Sequence, residues 1–523
     1  MLKNKIVSAD EAVSVIKSNH TVAIGGAGAG HAVPDKILAS LGKHFLKYRY
    51  PKYLRIIHPC GIGDNDRRGL NHIALEGLID VSIGGFWGNA PGMVELAKTN
   101  RLRGYNLPQG VLSHLMRAAA AGDPGVITRT GLHTFVDPRL EGGKMNEITK
   151  EDIVEVVELN GKEYLFYKAI PIDIAIIRGT SVDREGNLTM EEEVGSFSML
   201  SMAQAAKCNG GKVIAQVKRI QTDTYAVPGH VKVPGIFIDR IVVDPDQEMT
   251  FISPYDLSLV NRAIHVHSEN LIKDLDEIKK IIVRRAVMEL KKDAYINLGY
   301  GTADGIPLMA SKEGILADLH FMIEQGGIGG VPTTGLNFGA MNNPSAIIDD
   351  GYQFDFFQGG GLDLAYLGFA QVDKDGNVNA SRFGNIVTGC GGFIDISQNA
   401  KKVVFCGTFA VGAVCSLENG KLSIKYPGKI KKFINRVEQV TFCGNYAIKK
   451  GQRILYITER AVFEISEKGL ILTEVAPGVN IDRDILALME FKPFMPDKIH
   501  LMEASVFHDG PLDLPQFINH PNQ

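Results

Sequence analysis

Several things are scarce in this 523-residue chain, and each scarcity removes a class of function. Net charge is nearly absent: 56 Lys and Arg against 59 Asp and Glu leave −3 at pH 7. With a pI near 6.5, the chain has no broad attraction for nucleic acid or an anionic bilayer, and neither is expected as a partner. The one local mixture of signs, "DNDRRG" at 64–69, reads as a solvated turn. Cysteine is sparse and unpatterned. The six (Cys60, Cys208, Cys390, Cys406, Cys415 and Cys443) contain no C-x-x-C pair, and most lie in apolar or Gly-rich runs such as "VVFCGTF". They read as buried reduced thiols rather than a disulfide frame or a zinc site. No apolar run approaches the ~20 residues that span a bilayer, and "MLKNKIVSADEAVSVIKSNH" lacks the apolar core of a signal peptide. A reduced, cytoplasmic protein is the expectation.

Common nucleotide motifs are missing as well. No G-x-x-x-x-G-K-[ST] occurs, which removes P-loop chemistry. "GGAGAG" at 25–30 is not a dinucleotide fingerprint, because His31 stands where the last glycine belongs and no acidic residue closes a short strand at the right distance. His265 and His267 form the only close histidine pair and have no third ligand nearby, so no metal site is expected. His133 and Asp137, in "RTGLHTFVDP", have no nucleophile elbow beside them and read as structural.

Glycine, by contrast, is plentiful and clustered. The 57 glycines gather at 25–30, 84–92, 299–305, 326–330, 359–361 and 389–392. Such clusters mark tight turns or close approach of another group to the backbone, and six of them suggest loops at strand ends around a ligand. The chain also repeats itself. Gly26, Gly28 and Pro34 align without a gap on Gly299, Gly301 and Pro307. "DIAIIRGTSVDREGNL" (173–188) aligns on "DLAYLGFAQVDKDGNV" (363–378), and the same offset carries "GKVIAQV" (211–217) onto "KKVVFCG" (401–407). Two matches in the same order argue for duplication. Ser8-Ala-Asp-Glu11 is a capping box opening a helix to about Lys17, and "DIVEVVELNGKEYLFYKAI" (152–170) reads as a β-hairpin around Asn160-Gly161. The fold class expected is α/β: two related open α/β domains, 1–270 and 271–523, with mostly parallel sheets flanked by helices. The stretch 245–282 is the expected connection and the last 16 residues a tail.

Three stretches invite chemistry. In "FMIEQGGIGGVP" (321–332), Glu324 follows an apolar run and precedes four glycines, which places a carboxylate at a strand's carboxyl end with nothing to crowd it. The bland alternative is a solvated loop glutamate. In "FFQGGGLDLAYLG" (356–368), Gly359, Gly360 and Gly361 expose consecutive N–H groups able to cradle an oxyanion, unless they simply form a tight turn. In "YNLPQGVLSHLMRAAAAGDPG" (105–125), Gln109 stands at the mouth of a helix, where its amide could donate to the same oxygen.

With "GGAGAGHAVP", "PQGVL", "GVITRTGLHTFVDPR", "NLGYGTADGIP", "IEQGGIGG", "GGGLDLAYLG" and "GCGGFIDI" in this order, the chain resembles a family I coenzyme A transferase whose two subunit-like halves are fused, close to the acetate/propionate group. The resemblance implies that Glu324 is the catalytic glutamate. The family's Ser-Glu-Asn-Gly reads Ile-Glu-Gln-Gly here, which fits the acetate/propionate branch better than the succinyl branch. It also implies that Gly28, Gly299, Gly301, Gly391 and Gly392 line coenzyme A. No permanently bound cofactor is implied; coenzyme A and acyl-CoA are substrates, short-chain carboxylates the other partners, and a homodimer or homotetramer the assembly. The implied reaction is ping-pong transfer through a glutamyl-CoA thioester. An acyl-CoA hydrolase on the same scaffold and a sugar-phosphate sensor on a related fold are the rival readings.

Overall fold

A computed structural model describes residues 2–262 and 275–517. The expected boundary at 270/271 and the His265–His267 pair lie outside the described residues.

The first half is built on a parallel sheet of seven strands, β1 (Thr21–Ile24), β2 (Leu54–His58), β3 (Ile79–Gly84), β4 (Arg103–Asn106), β5 (Ile174–Asp183), β6 (Lys212–Gln221) and β7 (Arg240–Val243). Their spatial order is β7-β6-β5-β1-β2-β3-β4, with Leu188–Thr189 pairing antiparallel to β5. All of β1 and all of β5 are buried, as expected of strands covered by helices on both faces. Ala23, Ala175 and Ile177 face one core layer, and Val22, Ile24, Ile174 and Ile176 face the other. Helix α1 (Asp35–Tyr48) turns Ile37, Leu38, Leu41 and Phe45 onto the second layer. Helices α2 (Gln109–Ala121) and α3 (Met199–Cys208) pack on each other over the first.

The second half repeats the plan with β8 (Tyr295–Leu298), β9 (His320–Phe321), β10 (Leu364–Gly368), β11 (Lys402–Cys406), β12 (Arg453–Ile457), β13 (Ala461–Ser466), β14 (Gly469–Val475) and β15 (His500–Leu501). The order is β9-β8-β10-β11-β12-β13-β14-β15. It is parallel through β12, then antiparallel through β14. Helices α4 (Glu277–Val287), α5 (Asp350–Gln358) and α6 (Phe393–Ser397) belong to this half.

The repeat extends to single hydrogen bonds. Thr21 N–H donates to Asp173 Oδ2 at 2.8 Å, and Tyr295 N–H to Asp363 Oδ2 at 3.0 Å. In the first VD-x-x-GN turn, Asn187 Nδ2 donates to Asp183 Oδ2 and Asn187 Oδ1 accepts Gly235 N–H; Asn377, Asp373 and Gly444 do the same in the second. One detail corrects the sequence alignment. Gly25 N–H donates to Ile176 O as Gly299 N–H donates to Tyr366 O, so Gly25, not Gly26, is the equivalent of Gly299. The gapless match slipped by one residue because it was anchored on loop glycines and prolines, while the pairing of the strands sets the register.

Two local expectations hold. Ser8 and Glu11 form the reciprocal capping box, on a helix that is shorter than expected, Ala9–Val13. Val154–Leu159 and Lys162–Lys168 form the hairpin, with Asn160 and Gly161 both at positive φ (52° and 68°) as a tight two-residue turn demands.

Candidate active site

The carboxyl edges of both sheets face a cleft of about 530 Å³ between the halves. The first half contributes the loop after β1, with Gly28, the loop after β3, with Phe86, and the start of α2, with Gln109. The second contributes Gly299 after β8, Glu324 after β9, Phe369 after β10, and the 389–392 turn before α6. The two sets are sewn together by main-chain bonds. Trp87 N–H donates to Thr388 O at 2.7 Å, Gly391 N–H to Gly85 O at 2.7 Å, and Gln109 N–H to Gly391 O at 2.9 Å.

Glu324 is placed by a very short strand and a forced turn. β9 ends at Phe321, two residues earlier than the apolar run suggests, and the chain doubles back through Gly326 N–H donating to Ile323 O and Ile323 N–H donating to Gly327 O. Gly326 has φ +103°, and a Cβ there would lie 2.0 Å from Ile348 O, so only glycine closes this turn. Glu324 as a residue is 7% exposed. Its side chain accepts a hydrogen bond from Asn297 Nδ2, at 3.4 Å on Oε2. Burial pushes its pKa up; the hydrogen bonds, to its own backbone N–H and from Asn297 and Gln325, oppose this only partly. No Lys, Arg or His lines the cleft among the described residues. In its ionised form a carboxylate so placed has the chemistry to attack a carbonyl carbon.

Several polar atoms here have no partner. Gln109 Nε2, Gln325 Oε1 and Asn297 Oδ1 are buried and unbonded, as are both ring nitrogens of His31. Buried polar atoms are normally satisfied, so the Gln109 and Gln325 amides, which line the cleft, are poised for a ligand. His31 lies behind Gly28 and Gly339, held neutral by burial and by the Arg178 charge, with its pKa pushed down to about 4. Among the described residues no cluster of three or more His, Cys, Asp or Glu could hold a metal ion.

Comparisons with known proteins place the whole chain. The sequence pattern described as Coenzyme A transferase matches residues 6–244. Acetate CoA-transferase YdiF of Escherichia coli (strain K12) is 44% identical over 511 residues, covering 97% of this chain and 95% of that protein. Caffeate CoA-transferase of Acetobacterium woodii is 40% identical over 513 residues, covering 97% and 98%. The crystal structure of acyl-CoA transferase YdiF from E. coli O157:H7, a thioester complex with CoA, superposes with a TM-score of 0.92 at 41% identity, covering 99% of this chain and 98% of that one. The chain belongs to the coenzyme A transferase family. It is a transferase of family I with both halves on one polypeptide.

Within this transferase the residues singled out from sequence separate by place. Gly28, Gln109, Gly299, Glu324, Gly391 and Gly392 line one cleft. Gly301 stands just outside its wall, its N–H held by Asp304 Oδ1 at 3.2 Å. Gly359, Gly360 and Gly361 are elsewhere, and the expectation that they cradle an oxyanion is corrected. They follow α5 and precede β10, at the amino edge of the sheet, and their N–H groups are consumed by Asp355 O, Phe357 O and Phe356 O of the helix end. They are a helix C-cap. His133 and Asp137 are structural: Asp137 accepts the His133 N–H at 2.9 Å and pairs with Arg139. Sequence reasoning missed Asn297 and Phe86, and although it named Gly391 and Gly392 it missed that their loop pairs with the first half to build one wall. For Asn297 there was a signal, an amide in the middle of the apolar strand "YINLG".

No helix among the described residues is long and apolar enough to cross a membrane.

Proposed function

We propose that the transferase moves coenzyme A between short-chain monocarboxylic acids by a ping-pong route through a thioester on Glu324. The observation that carries this reading is a buried carboxylate without a cationic partner among the described residues, lining the same cleft of about 530 Å³ as an unbonded Gln109 amide. In the first step Glu324 attacks the acyl-CoA carbonyl, giving a mixed anhydride and CoA thiolate. The thiolate attacks the glutamyl carbonyl, which forms the glutamyl-CoA thioester and releases the first acid. The second acid runs the two steps backwards. Each attack passes through an oxyanion, and a preorganised donor lowers such a barrier by about 3–4 kcal/mol. Gln109 Nε2 is the side-chain donor. Gly392 N–H, which has no acceptor among the described residues, replaces the 359–361 glycines as the main-chain candidate. The anhydride is guarded from water by the closure of one half on the other. Gly28, Gly299, Gly301 and Gly391 are assigned to the passage for the CoA arm.

The acid is expected to be short and to carry one charge. No cation lines the cleft among the described residues, so a second carboxylate would be buried without a counter-ion and beside Glu324, at a cost of several kcal/mol. The thioester held by the YdiF relative in its crystal structure supports the same intermediate here. We take the halves to be the units 1–270 and 271–523, and the assembly to be a homodimer or homotetramer, which light scattering would read directly. The decisive experiment is incubation with acetyl-CoA and no acceptor, followed by peptide mass mapping. CoA mass on the peptide holding Glu324 is expected; label on another residue, or exchange with no label at all, overturns the assignment.

A further inference from the structure

We propose that Asp395 is a positioning residue for the transfer reaction: it fixes the Gln109 amide by capping, from the opposite half, the helix that carries it. The inference rests on the reading of Gln109 as the oxyanion donor.

Helix α2 begins at Gln109 and lacks a cap of its own. Its N-cap residue is Pro108, which offers no side-chain acceptor, although the first N–H groups of any helix need one. Both of the first two are taken by the other half. Gln109 N–H donates to Gly391 O at 2.9 Å, and Gly110 N–H donates to Asp395 Oδ2 at 3.2 Å. Asp395 Oδ1 is held in turn by Gln358 Nε2 at 2.8 Å. The approach is so close that a Cβ on Gly110 would stand 2.7 Å from Asp395 Oδ1 and 2.6 Å from the Phe354 ring. Asp395 is fully buried and sits on α6, three residues after Gly392 in the wall of the cleft.

A carboxylate is the strongest acceptor for a helix start, through its hydrogen bond and through the helix dipole. It is also an expensive group to bury among neutral neighbours, and burial pushes this one's pKa up to about 7. The same face of α2 continues the grip. Ser113 Oγ donates to Asp350 Oδ2 at 2.6 Å, and Arg117 Nη1 donates to Asp355 Oδ2 at 3.0 Å. Gly110, Ser113 and Arg117 therefore meet acids of the second half at i, i+3 and i+7, one stripe of the helix. Asp395 is the member of that row adjacent to Gln109, so closure of the halves and placement of the amide become one event.

The test is a double-mutant cycle between Asp395→Ala and Gln109→Ala, with Asp395→Asn as the conservative variant, measuring kcat and KM for acetyl-CoA-to-acid exchange. If Asp395 acts through Gln109, Asp395→Ala lowers kcat by about tenfold while KM for acetyl-CoA stays within about twofold, and the same change costs less than about twofold in the Gln109→Ala background. Asp395→Asn, which keeps an oxygen for Gly110 N–H, restores most of kcat and serves as the folded variant if the alanine does not fold. Equal losses from Asp395→Ala in both backgrounds, or a wild-type kcat in Asp395→Ala, overturn the proposal and leave Gln109 as donor. A Gln109→Ala enzyme with wild-type kcat overturns both. Loading of CoA on Glu324 is unaffected by the logic of the cycle and reports on the nucleophile separately.

Discussion

Two glycine-rich turns, 359–361 and 389–392, have nearly the same composition and opposite fates. The first joins the end of α5 to the start of β10, and the second joins the loop leaving β10 to the start of α6. In a parallel sheet, segments that follow strands gather at the carboxyl edge, where ligands bind, and segments that lead into strands gather at the other edge. Glycine content alone does not distinguish the two. What does is whether the next apolar run is a strand or a helix. "LDLAYLG" after 361 is a strand, which puts the triplet on the wrong side for chemistry, whereas "FIDIS" after 392 is a helix, which puts that turn in the cleft.

The contrast between the edges can be broken or sharpened by substitution. The largest effect is expected at Glu324: Glu324→Ala and Glu324→Gln should lower transfer by about 10⁴-fold or more while circular dichroism and the melting profile stay unchanged. Retained exchange would remove Glu324 as nucleophile. Next comes Gln109→Ala, expected to lower kcat by about 10²-fold, read from initial rates at saturating acetyl-CoA. Third is a pH effect on stability at the seam. Burial, aided by the neighbouring Asp349 charge, pushes the Asp350 carboxyl up from 3.8 to about 7. The folded chain therefore keeps a proton that the unfolded chain has released, and stability contributed by this group falls as pH rises from about 4 through about 7. Asp350→Asn imitates the protonated form, so its urea midpoint relative to wild type should rise between pH 5 and pH 8; a constant difference would sink this account. The smallest effect is expected at the amino edge. Gly360 has φ +84° and space for a Cβ, so Gly360→Ala should cost about 1 kcal/mol of stability with kcat unchanged. A large loss of kcat there would erase the distinction between the edges.

Much of this arrangement was legible in the residues. The VD-x-x-GN turns, the Asn160-Gly161 hairpin and the two-sheet plan follow from local patterns whose physical cause lies within a few residues of each. The place of Glu324 at the cleft was legible because an apolar run ending in a carboxylate and four glycines marks the carboxyl end of a strand. What escaped was non-local. The one-residue shift between Gly26 and Gly299 is set by pairing of β1 with β5 and β8 with β10, which no linear alignment of short strands senses. The partnership of Gly391 with Gly85, and of Asp395 with Gly110, joins residues about three hundred positions apart. No periodicity carries such information.

The row of acids gripping one stripe of α2 has a corollary for the architecture of the gene product. Glu324 and Gln109, which line one cleft, belong to different halves, and a stripe of α2 joins those halves. Divided into two polypeptides, the protein would behave as a complementing pair: each fragment inert by itself, the mixture competent.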